Sequence, residues 1–306
     1  MSGKGKISFY PKNRGDIKWK VPSLFNNDNL VLTLTDYCKE LGVKQPVNSV
    51  YGGVKSAWSG GRVSQLDEVE ETKIYDILSE YNQRDISCGF TFSNYRIKEE
   101  DLEDKSANLL LKIASDVSDQ NYAIVSSDIL ADYIRSKYPR IKLISSIIKP
   151  VYEHKNYDET PDYYNKLCER YDKVVVRPEF YFEKGFMKKL KHKKKIEIMA
   201  NLGCLQRCPL ASKHYDLTVE WDAGREAQYT KFCHVEMNNV QSVYKTTTIC
   251  SEDIEDLIKL GFENFKLKGR GISDIQLMDS IGNFIFHPTG YFLHLEIMVF
   301  KKLGIY

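Results

Sequence analysis

The chain has 306 residues, of which 42% are hydrophobic and 28% are charged, and its formal net charge at neutral pH is +2. This length allows a substantial core, in one large domain or two smaller ones. The small net charge argues against a protein that binds nucleic acid through its overall field. No run of about 18 apolar residues is present, which excludes a predicted transmembrane helix.

The N-terminal residues lack an apolar signal segment, so we expect a cytoplasmic protein without a membrane partner. In a reducing compartment, the seven cysteines are expected to be thiols or metal ligands rather than disulfides. Their odd number also fits a complete disulfide framework poorly.

Short apolar runs alternate with amphipathic stretches along the chain. The predicted strands are residues 49–51, 86–92, 123–126, 142–148, 173–176, 196–200 and 265–267. The predicted helices are residues 104–116, 128–138, 160–171 and 251–260, with Asp128 placed as an N-cap and Pro161 in a first turn. Strands that recur with helices between them predict βαβ units and a parallel sheet.

Seven or more such strands over this length favour an α/β fold of the TIM-like (β/α)8 barrel type over an open sheet. No GxGxxG motif follows the first strand, which counts against a dinucleotide-binding fold. Residues 1–306 are expected to form a single domain, with the barrel in residues 46–306. Residues 1–45 fit the alternation poorly and are assigned to an N-terminal cap or extension.

In such a barrel the carboxyl ends of the strands carry the chemistry. Polar or reactive residues at these predicted ends are Tyr51, Asn94, Ser126, Ser127, Asp128, Ser145, Ser146, Arg177, Glu179, Asn201, Cys204, Lys268 and Arg270. The candidates for catalysis among them are Asn94, Arg177, Lys268 and Arg270. The two arginines and the lysine could bind an anionic group, because an arginine side chain can form two parallel hydrogen bonds to a carboxylate.

Four cysteines fall within one turn-rich region: Cys204, Cys208, Cys233 and Cys250. Thiolates cluster in this way mainly to bind a soft metal, so this set is predicted to hold a 4Fe-4S cluster. A zinc ion bound by the same cysteines is the alternative. Separate, unligated thiols are the third interpretation. Ala211 stands where a radical S-adenosylmethionine loop would have its third cysteine, which counts against that chemistry.

Two further candidates flank Cys233, namely His234 and Glu236. A histidine here, or His214 after Cys208, could supply a fourth ligand or a proton. The remaining cysteines lie in apolar helix-like or strand-like settings and are expected to be ordinary buried thiols: Cys38, Cys88 and Cys168.

Several motifs lie around these cysteines: residues 201–209 read NLGCLQRCP, residues 252–253 read ED and residues 265–270 read FKLKGR. Together with weaker matches at 50–53, 60–62 and 92–94, they resemble the collagenase-like peptidase superfamily. The resemblance implies a TIM-like barrel, a cysteine-bound 4Fe-4S cluster and, in some relatives, a role in oxygen-independent hydroxylation of quinone precursors or RNA bases. The chain departs from the pattern at Leu202, Ser251 and Lys268, where relatives carry an acid, a proline and a glutamate.

The resemblance leads to three functional hypotheses. The first is an iron–sulfur enzyme that modifies a small molecule, a peptide or RNA, with Arg177, Lys268 and Arg270 holding a carboxylate or phosphate. The second is a peptidase, although neither an HExxH nor a GxSxG motif is present. The third is a non-catalytic, cluster-bearing subunit of a hetero-oligomer.

Overall fold

The chain folds into a closed barrel of eight parallel strands, connected in chain order from β1 to β8. The computed structural model describes residues 17–42, 44–60, 66, 68, 70–222, 246–285 and 299–304. The strands are β1 Lys18–Val21, β2 Val47–Gly52, β3 Ser87–Phe92, β4 Tyr122–Val125, β5 Lys142–Ser145, β6 Lys173–Val175, β7 Ile196–Met199 and β8 Asn264–Lys266. The α/β class and the TIM-like architecture predicted from the alternation of elements are therefore confirmed.

Helices connect the strands, and most of them cover the outside of the barrel. They are α1 Asp28–Glu40, α2 Glu71–Asn82, α3 Lys105–Val117, α4 Asp128–Lys137, α5 Ile148–Glu153, α6 Pro161–Arg170, α7 Lys184–Lys189, α8 Ala211–Asp222, α9 Ser251–Lys259 and α10 Asp274–Phe284. Within the ranges described above, none of the helices has both the length and the apolar character needed to cross a membrane.

Local sequence explains where several helices begin and end. Thr160 caps α6 by accepting from the Tyr163 amide at 3.3 Å, and Pro161 opens its first turn. The cap of α4 is Ser127 rather than the predicted Asp128, which is the first helical residue. The predicted strand at 142–148 ends at Ser145, because the chain turns there into α5.

The assignment of residues 1–45 to a cap needs correction, because this region supplies β1 and α1. Strand β1 pairs in parallel with both β2 and β8 and so closes the barrel. Its sequence, KWKV, alternates charged and apolar residues, and Lys20 points to a buried partner, Glu197 of β7. Two of the four residues of β1 are lysines, Lys18 exposed and Lys20 buried, so the strand lacks the apolar run by which the other strands are predicted.

Alternate residues of the strands pack into two separate clusters. On β4, for example, Ala123 and Val125 belong to the large cluster between strands and helices. Tyr122 and Ile124 belong to the smaller cluster, which we call the interior cluster. The interior cluster consists of Tyr51, Tyr122, Ile124, Ile144, Ile147, Ile148, Val175 and Met199. This division follows the two-residue period of a strand, with one face inside the barrel and the other under the helices.

The ring of Tyr122 spans part of the barrel interior. Its hydroxyl bonds to Ser49 Oγ at 2.7 Å and donates to the Val50 carbonyl at 3.2 Å, both on β2. Between these strands, Gly89 of β3 gives the ring its room, because any Cβ at Gly89 would overlap the ring atoms. The barrel is thus a packed core at this level.

Candidate functional site

The loop after β7 carries the first two cysteines of the predicted site to the carboxyl mouth of the barrel. Residues 200–205 pair with residues 246–249: Ala200 O accepts from Ile249 N at 2.9 Å, and Cys204 O accepts from Thr247 N at 2.8 Å. Gly203 adopts a φ of +68°, which favours glycine at this turn. The loop therefore has a defined backbone rather than being a loose connection.

The cysteines differ sharply in exposure. Cys204 and Cys250 are exposed and Cys208 is half-buried, whereas Cys38, Cys88 and Cys168 are buried. Burial raises the pKa of Cys88 well above its usual value and that of Cys168 to about 11, so both stay protonated at neutral pH. The prediction of ordinary buried thiols at these three positions is confirmed.

Cys250 acts as the N-cap of α9. Its amide donates to Asp253 Oδ2 at 2.9 Å, and its Sγ donates to the same oxygen at 3.1 Å. Burial, followed by the hydrogen bonds from the thiol to Asp253 and Glu252, raises the pKa of Cys250. In this conformation Cys250 is a protonated thiol that serves as a helix cap, and metal ligation would require it to leave Asp253.

Cys208 is held through its backbone by Tyr157. The Tyr157 hydroxyl donates to Cys208 O at 2.8 Å, although the two residues are 51 positions apart. The neighbouring Arg207 has a φ of +51° and forms an ion pair with Glu183 at 2.7 Å. Two contacts from different parts of the barrel rim thus hold the Cys-x3-Cys loop.

Arg177 was predicted to bind a ligand, but its side chain is buried and contacts other residues of the protein. Only 2% of its side chain is exposed, and it pairs with Glu159 at 3.0 Å and with Glu179 at 3.7 Å. It also donates to the His154 carbonyl at 3.1 Å, and its guanidinium lies 3.7 Å from the centroid of the Tyr157 ring. Arg177 therefore anchors the loops after β5 and β6, and through Tyr157 it supports the cysteine loop.

Asn94 is also a structural residue in this conformation. Its Nδ2 donates to the Ala57 carbonyl at 2.8 Å and its Oδ1 accepts from the Arg96 amide at 2.9 Å. The backbone of Gly60, with a φ of +64°, passes so close that a Cβ there would lie 2.7 Å from the Asn94 Cα. Asn94 therefore joins the β2 and β3 loops.

Lys268 and Arg270 both lie at the mouth, as predicted. Asn201 fixes the Lys268 backbone: its Oδ1 accepts from the Lys268 amide at 2.7 Å and its Nδ2 donates to the Lys268 carbonyl at 3.2 Å. The Lys268 side chain is exposed, and its Nζ lies 3.5 Å from the position that a Cβ on Gly203 would occupy. The ammonium group is thus beside the cysteine loop.

Arg270 reaches across the mouth from the β8 side to β3. Its guanidinium donates to Thr91 Oγ1, and it also lies above Gly53, where a Cβ would be 3.6 Å from Nη1. Arg270 and Lys268 thus place two cations at the rim, both in the loop that follows β8. Such a pair is suited to a carboxylate or a phosphate.

Helix α8 lies over the mouth, and its position could not be foreseen from the sequence. Tyr215 and Leu202 pack against the interior cluster from above. Tyr152 of α5 donates to Asp216 of α8 at 2.8 Å, and the Tyr152 ring stacks on Tyr95 with centroids 4.5 Å apart. The helix and these rings therefore lie between the carboxyl mouth and the interior cluster.

Cys233, His234 and Glu236 lie outside the described residues. Within the part of the chain that is described, no three His, Cys, Asp or Glu side chains form a group that could hold a metal ion.

No protein-family model matches the chain, and no curated protein matches it significantly. The fold and the site define its class: a closed (β/α)8 barrel with a Cys-x3-Cys loop and two cations at its carboxyl mouth.

Proposed function

We propose that this barrel binds a 4Fe-4S cluster at its carboxyl mouth, with Cys204, Cys208 and Cys233 as ligands. The observation that carries the proposal is the placement of Cys204 and Cys208. They occupy one anchored loop at the end of the barrel where such folds carry their chemistry. The buried cysteines, by contrast, are spread over the body of the barrel.

Two of the four predicted cysteine ligands, Cys204 and Cys208, are well placed to hold a metal or an iron–sulfur cluster. Two thiols with three residues between them, Cys204 exposed and Cys208 half-buried, are appropriate for iron–sulfur or zinc binding, and the Lys268 ammonium lies beside their loop. Cys250 is the weakest of the four predicted ligands, because its thiol caps α9. The fourth position therefore falls to Cys250 after release from Asp253, or to one of the two histidines, His214 or His234.

We further propose that the protein takes part in the oxygen-independent modification of an anionic small molecule, peptide or RNA in the cytoplasm. A bound cluster would supply electron transfer or Lewis acidity at the mouth. Lys268 and Arg270 would bind a carboxylate or phosphate of the substrate, and α8 with Tyr215 would keep water from the reacting atoms. The sequence resemblance to collagenase-like peptidases supports this proposal.

The test is anaerobic purification followed by measurement of iron, sulfide and zinc per chain, together with the visible spectrum. Wild type is compared with Cys204→Ala and with Cys88→Ala, a matched control that removes a buried thiol of β3. We expect about four irons and four sulfides per chain in wild type and in the control, and their loss in Cys204→Ala. One zinc per chain without iron would show that the site binds zinc rather than a cluster. The absence of both metals would refute the proposal.

A further inference from the structure

The amino-end face of the barrel, opposite the mouth, carries a dense run of lysines. Residues 188–195 read KKLKHKKK and contain six lysines, one histidine and no acid. They lead from the C-terminus of α7 through a 3-10 turn to the start of β7 at Ile196. The formal net charge of the whole chain is only +2, so this run is strongly positive while the rest of the chain is net negative.

Two of these lysines have a structural role. Lys195 Nζ donates to the Cys168 carbonyl at 2.7 Å, in the last turn of α6. Lys193 Nζ donates to the Leu260 carbonyl at 2.6 Å, at the C-cap of α9. Lysine side chains near helix C-termini bind the last carbonyl groups and interact favourably with the helix dipole. This role accounts for Lys193 and Lys195 but not for the other four lysines of the run.

The other four lysines are exposed: Lys188, Lys189, Lys191 and Lys194. We call these four residues the lysine patch. Their backbone is held in place by Asn165 of α6, whose Oδ1 accepts from the Lys191 amide at 2.8 Å and whose Nδ2 donates to the Lys189 carbonyl at 3.5 Å. The patch is thus fixed to the barrel, with its side chains open to solvent.

The protein itself does not neutralise the lysine patch. Among the described residues, none of its four lysines forms an ion pair, whereas Lys184 and Lys259 both pair with Asp256, at 2.8 Å and 3.3 Å. A cluster of one sign of charge raises the local concentration of oppositely charged ligands. The patch therefore favours a partner that brings several negative charges at once.

We propose that the lysine patch binds the phosphate backbone of a nucleic acid without reading its sequence. Lysines that neutralise phosphates provide affinity and position the nucleic acid, but they carry no sequence information. The proposal goes beyond the iron–sulfur function and does not depend on it.

The composition of the patch favours a nucleic acid over the other polyanions. Leu190 is the one apolar residue of the run 188–195, and it is only 1% exposed. Protein interfaces are depleted of lysine and have an apolar centre. Stable attachment to a membrane requires an inserted apolar group in addition to basic residues. A surface of lysines without an exposed apolar side chain fits a phosphate backbone better than either.

The experiment measures the fluorescence anisotropy of a labelled oligouridylate titrated with the full chain at several salt concentrations. We expect a Kd of about 10⁻⁴–10⁻⁶ M at physiological salt, and equal affinity for a mixed-sequence RNA of the same length. For a single strand, the logarithm of the affinity falls with that of the salt concentration by about 0.7 per neutralised phosphate, so four lysines predict a slope of about −3. The absence of binding, or binding that does not depend on salt, would overturn the proposal.

Two variants that lose the same charge locate the binding surface. The first replaces the four lysines of the patch by glutamine. The second makes the same change at four exposed lysines of α1, α2 and α3, namely Lys39, Lys73, Lys105 and Lys112. The first should bind at least about tenfold more weakly and lose most of the salt dependence, whereas the second should keep the wild-type slope.

Circular dichroism establishes that both variants are folded, and their iron content, which should equal that of wild type, separates this test from that of the cluster. Equal weakening in the two variants would overturn the proposal, because binding would then follow net charge alone. Binding of wild type to vesicles of phosphatidylcholine and phosphatidylserine but not to RNA would overturn it in favour of a membrane surface.

Discussion

The hydroxyl of Tyr157 donates a hydrogen bond of 2.8 Å to the carbonyl oxygen of Cys208. This bond joins the loop after β5 to the loop after β7, and the Tyr157 ring is itself packed against Arg177. The geometry of the Cys-x3-Cys loop thus depends on a residue far from it in sequence, which neither motif nor spacing points to.

Tyr157→Phe removes this hydrogen bond and keeps the ring. We expect a loss of about 1 kcal/mol in the free energy of unfolding and, if the loop holds a cluster, faster release of iron to a chelator. The control is Tyr163→Phe, which removes a hydroxyl that donates to Glu153 at 2.6 Å, away from the cysteine loop. Equal rates of iron release in the two variants would show that the loop does not need the Tyr157 bond.

Arg177→Met should be strongly destabilising. It leaves the buried carboxylates of Glu159 and Glu179 without their cation, and breaking a buried pair in this way costs about 3–5 kcal/mol. Unfolding in guanidinium measures the loss. Arg135→Met, which breaks an exposed pair with Asp132, should cost at most about 1 kcal/mol. Similar losses in both variants would argue against the anchoring role of Arg177.

Asp28 should make stability depend on pH in the weakly acidic range. Burial raises the pKa of this carboxyl from 3.8 to about 6, even though Tyr81 donates to it at 2.8 Å. Between these two values the native state binds more protons than the unfolded state, so stability falls as the pH rises from about 4 to about 6.

Asp28→Asn keeps the acceptor for Tyr81 and removes the titration. Its melting temperature should exceed that of wild type by about 2–4 °C at pH 7.5, with a smaller difference at pH 4.5. Asp132→Asn, at an exposed position of α4, controls for the change in net charge. A difference between Asp28→Asn and wild type that does not change with pH would be contrary to this expectation.

Replacement of two glycines by alanine should change the free energy of unfolding in opposite directions. Gly89→Ala places a Cβ into the Tyr122 ring inside the barrel, and overpacking of this kind costs about 1–3 kcal/mol. Gly185 lies in α7 with nothing within 4 Å of a new Cβ, so Gly185→Ala should stabilise the protein by up to about 1 kcal/mol. Urea unfolding of both variants measures the contrast, and a well-tolerated Gly89→Ala would mean that Tyr122 can move aside.

Seven of the eight strands could be predicted because parallel strands buried on both faces appear as short apolar runs. Strand β1 could not, because its inward residue Lys20 is accommodated by Glu197, which lies 177 positions away. A single sequence gives no sign of such a partner, so a lysine at that position suggests exposure.

The position of candidate residues at the mouth could be predicted better than their roles. The rule that strand ends carry the chemistry placed Lys268 and Arg270 correctly at the rim. The same rule selected Asn94 and Arg177, whose polar atoms bind the Ala57 carbonyl and Glu159 instead. For Cys250 a local signal existed, because an acid three residues after a cap residue is the pattern of a capping box.

Closure of the barrel joins β1 to β8, and the Lys18 amide bonds to the Glu263 carbonyl at 2.8 Å. During synthesis, β1 leaves the ribosome long before β8 exists, so the growing chain carries an open sheet edge until nearly all of it has been made. Contacts of such long range form slowly, and open edges invite pairing with other chains. Expression at low temperature or with chaperones should therefore raise the yield of folded protein more than changes to its surface would.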